Sequence, residues 1–335
     1  MHKVAVVILN YNGKDFLQQF LPAVIENNSD CEIIVGDNGS TDDSIEYLEK
    51  IFPEVQIIKL PVNEGFSKGY NLVLQQVQAE YYVLLNSDVE VTKDWIDPVI
   101  ALMDHDPSIA ACQPKILSYY NKDTFEHAGA AGGFIDKLGY PFCRGRIFDT
   151  VEKDQGQYDD EIQIFWATGA CLFIRAALFH KMGGFDDHFF AHMEEIDLCW
   201  RLNKAGYKIM YQGKSKVYHI GGGTLPKTNS RKTFLNFRNS LLMLHKNLSP
   251  PERKKIIRLR ILSDAIAALR FFITGQWSNG QAVIKAYIYY FKNAWNLYDS
   301  INKSSPVHQI NEMPIYNGLI VVSYFFKNKK IYSAL

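Results

Sequence analysis

The 335-residue chain is long enough for one large domain, or for a domain with a smaller unit beside it. Its 36 basic and 36 acidic side chains cancel, which argues against bulk nucleic-acid binding. Five scattered cysteines without a CxxC pair speak against a disulfide framework or a zinc site, and for reduced, mostly buried thiols in a cytosolic protein. Hydrophobic residues make up 47% of the chain, so a sizeable core can form, yet no run reaches the ~18 apolar residues that span a bilayer. The first apolar run is too short for a signal peptide, and a soluble or peripheral protein is expected.

Residues 4–9 form an unbroken apolar run, the mark of a strand buried on both faces. Helical spacing follows over residues 15–27, through Phe16, Leu17, Phe20, Leu21 and Val24. The pattern then predicts a strand over 32–35, a helix over 44–52, a strand over 55–60, a helix over 65–78 and a strand over 81–85. This alternation predicts an α/β fold with a mostly parallel sheet flanked by helices, whose ligands sit beyond the carboxyl ends of the strands. Residues 118–166 are rich in Gly, Asp and aromatics and read as a long excursion or lid. A strand over 170–175 and helices over 176–182 and 196–205 come next, and residues 217–219 read as a strand end. From residue 233 the pattern is helical and more basic. A soft boundary at 224–230 divides a domain of residues 1–230 from a C-terminal helical region of residues 231–335.

The polar residues with chemical interest fall at the predicted strand ends. Asp37 opens an Asp-Asn-Gly-Ser-Thr-Asp run, which suits a turn before a helix cap, or a carboxylate accepting a nucleobase N–H. Asn10 and Tyr11 close the neighbouring strand, where a ring could stack on the same base. Asp88, after Asn86 and Ser87, offers a hard oxygen to a divalent cation; an Asx turn is the plainer reading. His219 precedes Gly221-Gly222-Gly223 and is a candidate metal ligand or phosphate hydrogen-bond donor. Glu194, Glu195 and Asp197 stand within four positions at a predicted helix start and are candidates for a general base. Their crowding should raise at least one pKa toward neutrality. Helix-terminal acidity, and an i,i+4 pair of Asp197 with Arg201, are the ordinary explanations. Arg144 and Arg146 in the long excursion could close over phosphates, but solvated loop charges are the plainer reading. Dehydrogenase, NTPase and serine-hydrolase signatures are missing.

Taken in order, these residues resemble family 2 glycosyltransferases with the GT-A fold, over about residues 3–223. The resemblance runs through residues 7–12, 37–42, Asn63-Glu64-Gly65-Phe66-Ser67-Lys68-Gly69-Tyr70-Asn71, 85–88, 166–170, 183–186, 194–197 and 217–219. The 63–71 element is similar to that of bacterial rhamnosyltransferases and other surface-polysaccharide enzymes. The resemblance implies an inverting transfer from a nucleotide-diphosphate sugar to a saccharide or lipid-linked saccharide. It implies donor contacts from Asn10, Tyr11, Asn12, Asp37, Gly65, Lys68, Asn71, Asn86 and Ser87. It also implies acceptor contacts near Trp166 and Thr168, Mg²⁺ or Mn²⁺ on Asp88 and His219, and Glu195 as the base. Asn86 replaces the first acid of the family's metal triplet, Glu195 stands where Asp is usual, and Tyr70 stands where Asn is common. A non-catalytic nucleotide-sugar-binding module and a sugar nucleotidyltransferase are the alternatives; the latter's Gly/Arg/Lys phosphate loop is replaced by Asn10-Tyr11-Asn12-Gly13.

Beyond residue 224 the resemblance fades. Residues 253–273 combine Arg253, Lys254, Lys255, Arg258, Arg260 and Arg270 with a large aliphatic and aromatic content. Such a helix can lie on an anionic membrane surface or pack on its own domain with a solvated basic face. The expected location is the cytoplasm, with a peripheral seat at the inner face of the cell membrane as the option this segment raises. Donor base, sugar, acceptor, linkage and oligomeric state are not legible.

Overall fold

Val4 to Ile8 are buried without a break, which requires the first strand to lie inside a sheet covered on both faces. In the computed structural model, which describes residues 2–28, 30–127, 129–221, 229–298 and 313–335, that strand is β1 (His2–Asn10). It is followed by α1 (Lys14–Glu26), β2 (Glu32–Asn38), α2 (Ser44–Ile51), β3 (Gln56–Leu60), α3 (Gly65–Leu74) and β4 (Ala79–Leu85). Next come β5 (Val89–Val91), α4 (Asp97–His105) and β6 (Ile109–Ser118). The excursion carries β7 (Gly133–Asp136), β8 (Pro141–Cys143), β9 (Arg146–Ile147), β10 (Thr150–Val151) and β11 (Glu161–Ile164). Then follow β12 (Cys171–Arg175), α5 (Ala176–Lys181), α6 (Glu194–Lys204) and β13 (Lys208–His219). The C-terminal part holds α7 (Ser230–Asn247), α8 (Pro250–Ile273), α9 (Trp277–Tyr298), β14 (Ile315–Tyr316) and α10 (Ile320–Phe325).

The main sheet has the order β11-β13-β6-β12-β4-β1-β2-β3, with β5 on β13. The β1–β4, β1–β2 and β2–β3 pairs are parallel, as the alternation predicts. The far half is mixed. β12 runs antiparallel to both β4 and β6, while β6 and β13 are parallel. Cys171 therefore pairs with Leu85, so the residues just before β12 meet those just after β4. At the other side His219 pairs with Val89 and with Ser118. These two pairings gather residues from four distant segments at one end of the sheet. Tyr70 is fully buried there, and its hydroxyl lies 3.3 Å from Val7 O and 3.2 Å from Leu85 O, bridging β1 and β4.

Residues 118–166 are not a loose lid. They build a second, 5-stranded sheet, β10-β9-β8-β7-β14, whose last strand comes from residues 315–316. Trp166 lies so close over Gly133 that a Cβ there would stand 2.2 Å from the ring. Arg144 is likewise not a solvated loop charge. It is buried, makes two hydrogen bonds to Asp160, and lies against the Tyr158 and Tyr211 rings. The helices beyond residue 230 add to the core rather than forming a separate one. Leu241 to Leu244, Ile257, Tyr290 and Ile320 belong to the same buried cluster as Val7, Leu84 and Trp200.

Candidate active site

The strand ends of β1 and β2 lie in register, with Asn10 beside Asp37, and both side chains are buried. Asn10 Nδ2 donates to Asp37 Oδ1 at 3.2 Å and to Ser40 Oγ at 3.2 Å, while Asp37 Oδ2 accepts the Ser40 N–H at 3.0 Å. Asn12, at φ 51°, accepts the Thr41 N–H at 2.7 Å. The two loops are thus stitched together, and the Tyr11 ring between them is left 44% exposed. Asn10 Oδ1 is buried and has no hydrogen-bond partner. A flat, rigid platform with one open ring and one unmet acceptor suits a planar, hydrogen-bonding ligand.

Asn71 and Lys68 take other places. Asn71 exchanges hydrogen bonds with Phe185, donating to its carbonyl at 2.8 Å and accepting its N–H at 2.9 Å. Lys68 pairs with Glu64 at 2.7 Å. Both line a hollow of about 420 Å³ with Gly183 to His188, separate from the Asn10–Asp37 platform. Gly65 has φ +81°, and a Cβ there would strike the Phe190 ring at 2.6 Å, so glycine is required.

Asp88 and His219 meet across the sheet end. His219 Nε2 donates to Asp88 Oδ1 at 3.1 Å, and its Nδ1 donates to Glu126 Oε2 at 3.2 Å. Burial opposes the imidazolium, but the hydrogen bonds and charges of Asp88 and Glu126 outweigh it and push His219 up to about 10. The donor set fits a small divalent ion. Ligands held at about 2.1 Å by an octahedral ion stand about 3 Å apart in adjacent positions, which is the observed Asp88–His219 spacing. A carboxylate on the far ring nitrogen of a ligating histidine fixes its orientation, the place Glu126 takes. Among the described residues no set of three His, Cys, Asp or Glu side chains is arranged to hold an ion. The remaining positions would fall to phosphate oxygens and water, as is usual for Mg²⁺. Glu126 was invisible in the sequence: it is one acid in an aperiodic stretch, 93 residues from its partner. Gly221 packs against it; Gly222 and Gly223 lie outside the described residues.

The acidic triplet is split by its helix. Residues 190–193 form a strap with Phe190, His192 and Met193 all at positive φ, between 63° and 74°. Non-glycine residues hold such angles only when their surroundings enforce them. Asn239 of α7 does so: its Nδ2 lies 2.9 Å from Phe189 O, 2.9 Å from Ala191 O and 2.7 Å from His192 O. α6 then starts with no side-chain cap at Met193. Backbone N–H groups of Glu195, Ile196 and Gly169 act on the Glu195 carboxyl to lower its pKa. Its Oε2 is buried without a partner, as is Oε2 of Glu194. Burial raises Glu195 to about 7, against those three N–H groups, which lower it. Glu194 lies well above the carboxylate range, through burial first and the Glu195 charge second. Asp197 leaves the triplet. It turns to the other side of α6 and is fully paired, with Arg201 at 2.8 Å, Lys246 at 3.0 Å and Asn247 at 2.7 Å.

Glu195 opens on a pocket of about 250 Å³ with Trp166, Thr168, Arg146 and His127. Trp166 is pinned by an indole hydrogen bond to Phe134 O at 2.9 Å. The Thr168 hydroxyl accepts the Ala170 N–H at 3.2 Å. Arg146, expected in solvent, lines this pocket and donates to Phe148 O at 2.9 Å. Trp200 packs on Phe165 in the core.

A strand-end platform, an acid–histidine pair and a half-buried glutamate with an unpartnered oxygen stand on a GT-A fold. The chain belongs to glycosyl transferase family 2, which matches residues 5–183, and it is a glycosyltransferase. Over 230 residues it is 26% identical to the N-acetylglucosaminyl-diphospho-decaprenol L-rhamnosyltransferase of Mycobacterium tuberculosis, covering 64% of this chain and 75% of that one. The low-salt glycan biosynthesis hexosyltransferase Agl10 of Haloferax volcanii is 22% identical over 248 residues, 71% of this chain and 74% of its own. Among solved structures, GalNAc-T7 with UDP, GalNAc and Mn²⁺ superposes with a TM-score of 0.55 at 16% identity, over 73% of this chain and 48% of that one. The mannosyltransferase PcManGT of Pyrobaculum calidifontis, with GDP-Man and Mn²⁺, gives 0.53 at 14% identity, over 89% and 87%. The two structural likenesses speak for the fold alone.

Proposed function

We propose that the chain inverts configuration as it moves a hexosyl- or rhamnosyl-type sugar from a nucleotide-diphosphate donor to a hydroxyl of a saccharide or lipid-linked saccharide, in cell-surface polysaccharide synthesis. The observation that carries this is Glu195. Its Oε2 is buried without a hydrogen-bond partner, and burial sets its pKa near neutrality. Such a carboxylate takes a proton at neutral pH without first leaving another partner.

Glu195 removes the acceptor proton as that oxygen attacks the anomeric carbon. The new C–O bond forms on the face opposite the diphosphate, whose bond to the sugar breaks. Tyr11, Asn10 and Asp37 hold the base and ribose, with Asn12, Gly65, Asn86 and Ser87 around them. Asp88 and His219 face the diphosphate. A divalent Mg²⁺ or Mn²⁺ on that pair would supply Lewis-acid neutralisation of the leaving group. Trp166 and Thr168 line the acceptor side. Residues 1–230 carry the transfer, and residues 231–335 brace it.

The decaprenol-linked substrate in the mycobacterial relative's name supports a lipid-linked acceptor. Nucleotide sugars are water-soluble and such acceptors are not, so the reaction is assigned to the inner face of the cell membrane. Incubation with nucleotide sugars, Mn²⁺ and candidate acceptors, with the product's anomeric proton read by NMR, tests the reading. The expected result is a product of inverted configuration; retention overturns the single-step mechanism.

A further inference from the structure

The helices α8 and α9 form an antiparallel hairpin whose outer side has no partner among the described residues. α8 buries Ile257, Arg260, Asp264 and Ala268 against the body. On its opposite face Leu262, Ile266, Leu269 and Ile273 stand 66%, 69%, 57% and 76% exposed. Their spacing of four, three and four makes a single stripe. α9 repeats the pattern. It buries Ala282, Val283, Ala286, Tyr290 and Ala294, and exposes Ile284, Ile288, Phe291 and Trp295 at the same spacing. Trp277, at the tip of the hairpin, continues that second stripe and is 64% exposed. Large apolar patches of this kind on a soluble protein mark an interaction surface.

The charge around the stripes identifies the partner. Between residues 253 and 298 the only acid is Asp264, which is buried and paired with Arg260 at 3.2 Å. Lys254, Lys255, Arg258, Arg270, Lys285 and Lys292 are all exposed. At 3.6 residues per turn, Lys255, Arg258 and Arg270 fall within about 70° of the α8 stripe. A second copy seated on this face would meet the same cations with no acid to pair them. An anionic lipid surface offers both an apolar interior and negative headgroups. No helix among the described residues is long and apolar enough to cross a bilayer.

We propose that the α8–α9 hairpin lies in the headgroup layer of an anionic membrane, its two stripes in the acyl boundary and Trp277 at the tip. The hairpin also reaches the acceptor pocket. Arg260 donates to Leu138 O at 3.2 Å and stacks on Tyr140 at 3.8 Å, and Tyr140 donates to Asp264 at 2.5 Å. The next residues, Pro141 to Cys143, line the pocket that holds Glu195. A membrane-bound hairpin thereby keeps that pocket at the lipid surface. The lipid-linked acceptor gives this docking its purpose, but vesicle binding is measured without it.

The test is flotation of the full chain with vesicles of phosphatidylcholine alone, or mixed with phosphatidylglycerol, at low and high salt. The wild type should float with the mixed vesicles at low salt and less so at high salt. Removing one exposed cation should lower partitioning about fivefold. Ile266→Glu with Ile288→Glu should abolish flotation, with an unchanged melting curve and unchanged turnover on a water-soluble acceptor. Failure of the wild type to float overturns the proposal. So does a dimer in light scattering that Ile266→Glu dissociates, since the face then belongs to a second copy. Flotation without use of any lipid-linked acceptor leaves the docking intact and removes the acceptor reading instead.

Discussion

The two sides of the active centre are built in different ways. The platform of Asn10, Asp37 and Ser40 is a product of neighbouring parallel strands: each residue ends its own strand or begins the next loop, and register alone brings them together. The side of the proposed base is imported. Glu195 sits after a strap in a conformation its own residues disfavour, and the strap is held by Asn239, more than forty positions later. Strand-end sites come with the fold, whereas the proposed base depends on a contact from α7. A disturbance of α7 should therefore reach catalysis before it reaches donor binding.

The largest expected effect separates the sides most cleanly. Glu195→Gln removes the proton acceptor but keeps shape and size, and should lower kcat by ~10²–10⁴. Donor affinity by titration calorimetry should stay unchanged. Turnover near wild type would end the assignment and make Glu194 the next candidate. Asp197→Asn should instead act through stability, because its partners Arg201 and Lys246 lie away from the pocket.

On the donor side, Asp88→Ala should lose the cation dependence of donor binding. Glu126→Gln, which removes the charge beside His219 Nδ1, should weaken Mn²⁺ affinity by ~10–100-fold. Calorimetry with and without EDTA decides. Equal donor affinity in both conditions would mean that the charged His219 ring, not an ion, neutralises the diphosphate.

How much of this was legible follows the same division. Val4 to Ile8 showed a central strand by their unbroken apolarity, and the acids at strand ends followed from the rule that ligands sit there. Glu194 and Glu195 stood out by crowding. Their separation from Asp197 did not, because the 100° step of the helix sends one neighbour to the pocket and another to Lys246 only once α6 and α7 are packed. β14 could not be read either: two residues, Ile315 and Tyr316, add a parallel edge to β7 across 180 positions, with no local periodicity. Nor could the burial of Arg144 and the half-burial of Arg146, since sequence shows their charge but not the ring faces and carbonyls that receive it.

Asn239→Ala tests the import directly. It removes a buried donor from the carbonyls of Phe189, Ala191 and His192, and should cost about 1–3 kcal/mol of stability. It should lower kcat more than it raises KM for the donor. An equal loss in both would show that the strap also shapes the donor side.

The smallest effect is in the pH profile, and it isolates what sets the base apart. Glu195 must be ionised to act, and burial places its pKa at about 7. The acid limb of kcat/KM should fall tenfold per unit below that point, while the gain from pH 7 to pH 8 should be only about twofold. Burial, not a neighbouring charge, is the main cause of the shift, so Glu194→Gln should leave the limb near 7. Substitutions that admit water to the pocket should lower it. Trp166→Ala opens the wall beside Glu195 and is expected to move the limb toward the ordinary glutamate value. If the limb follows Glu194→Gln and ignores Trp166→Ala, the two carboxyls titrate as a pair, and the proton acceptor is the pair rather than Glu195 alone.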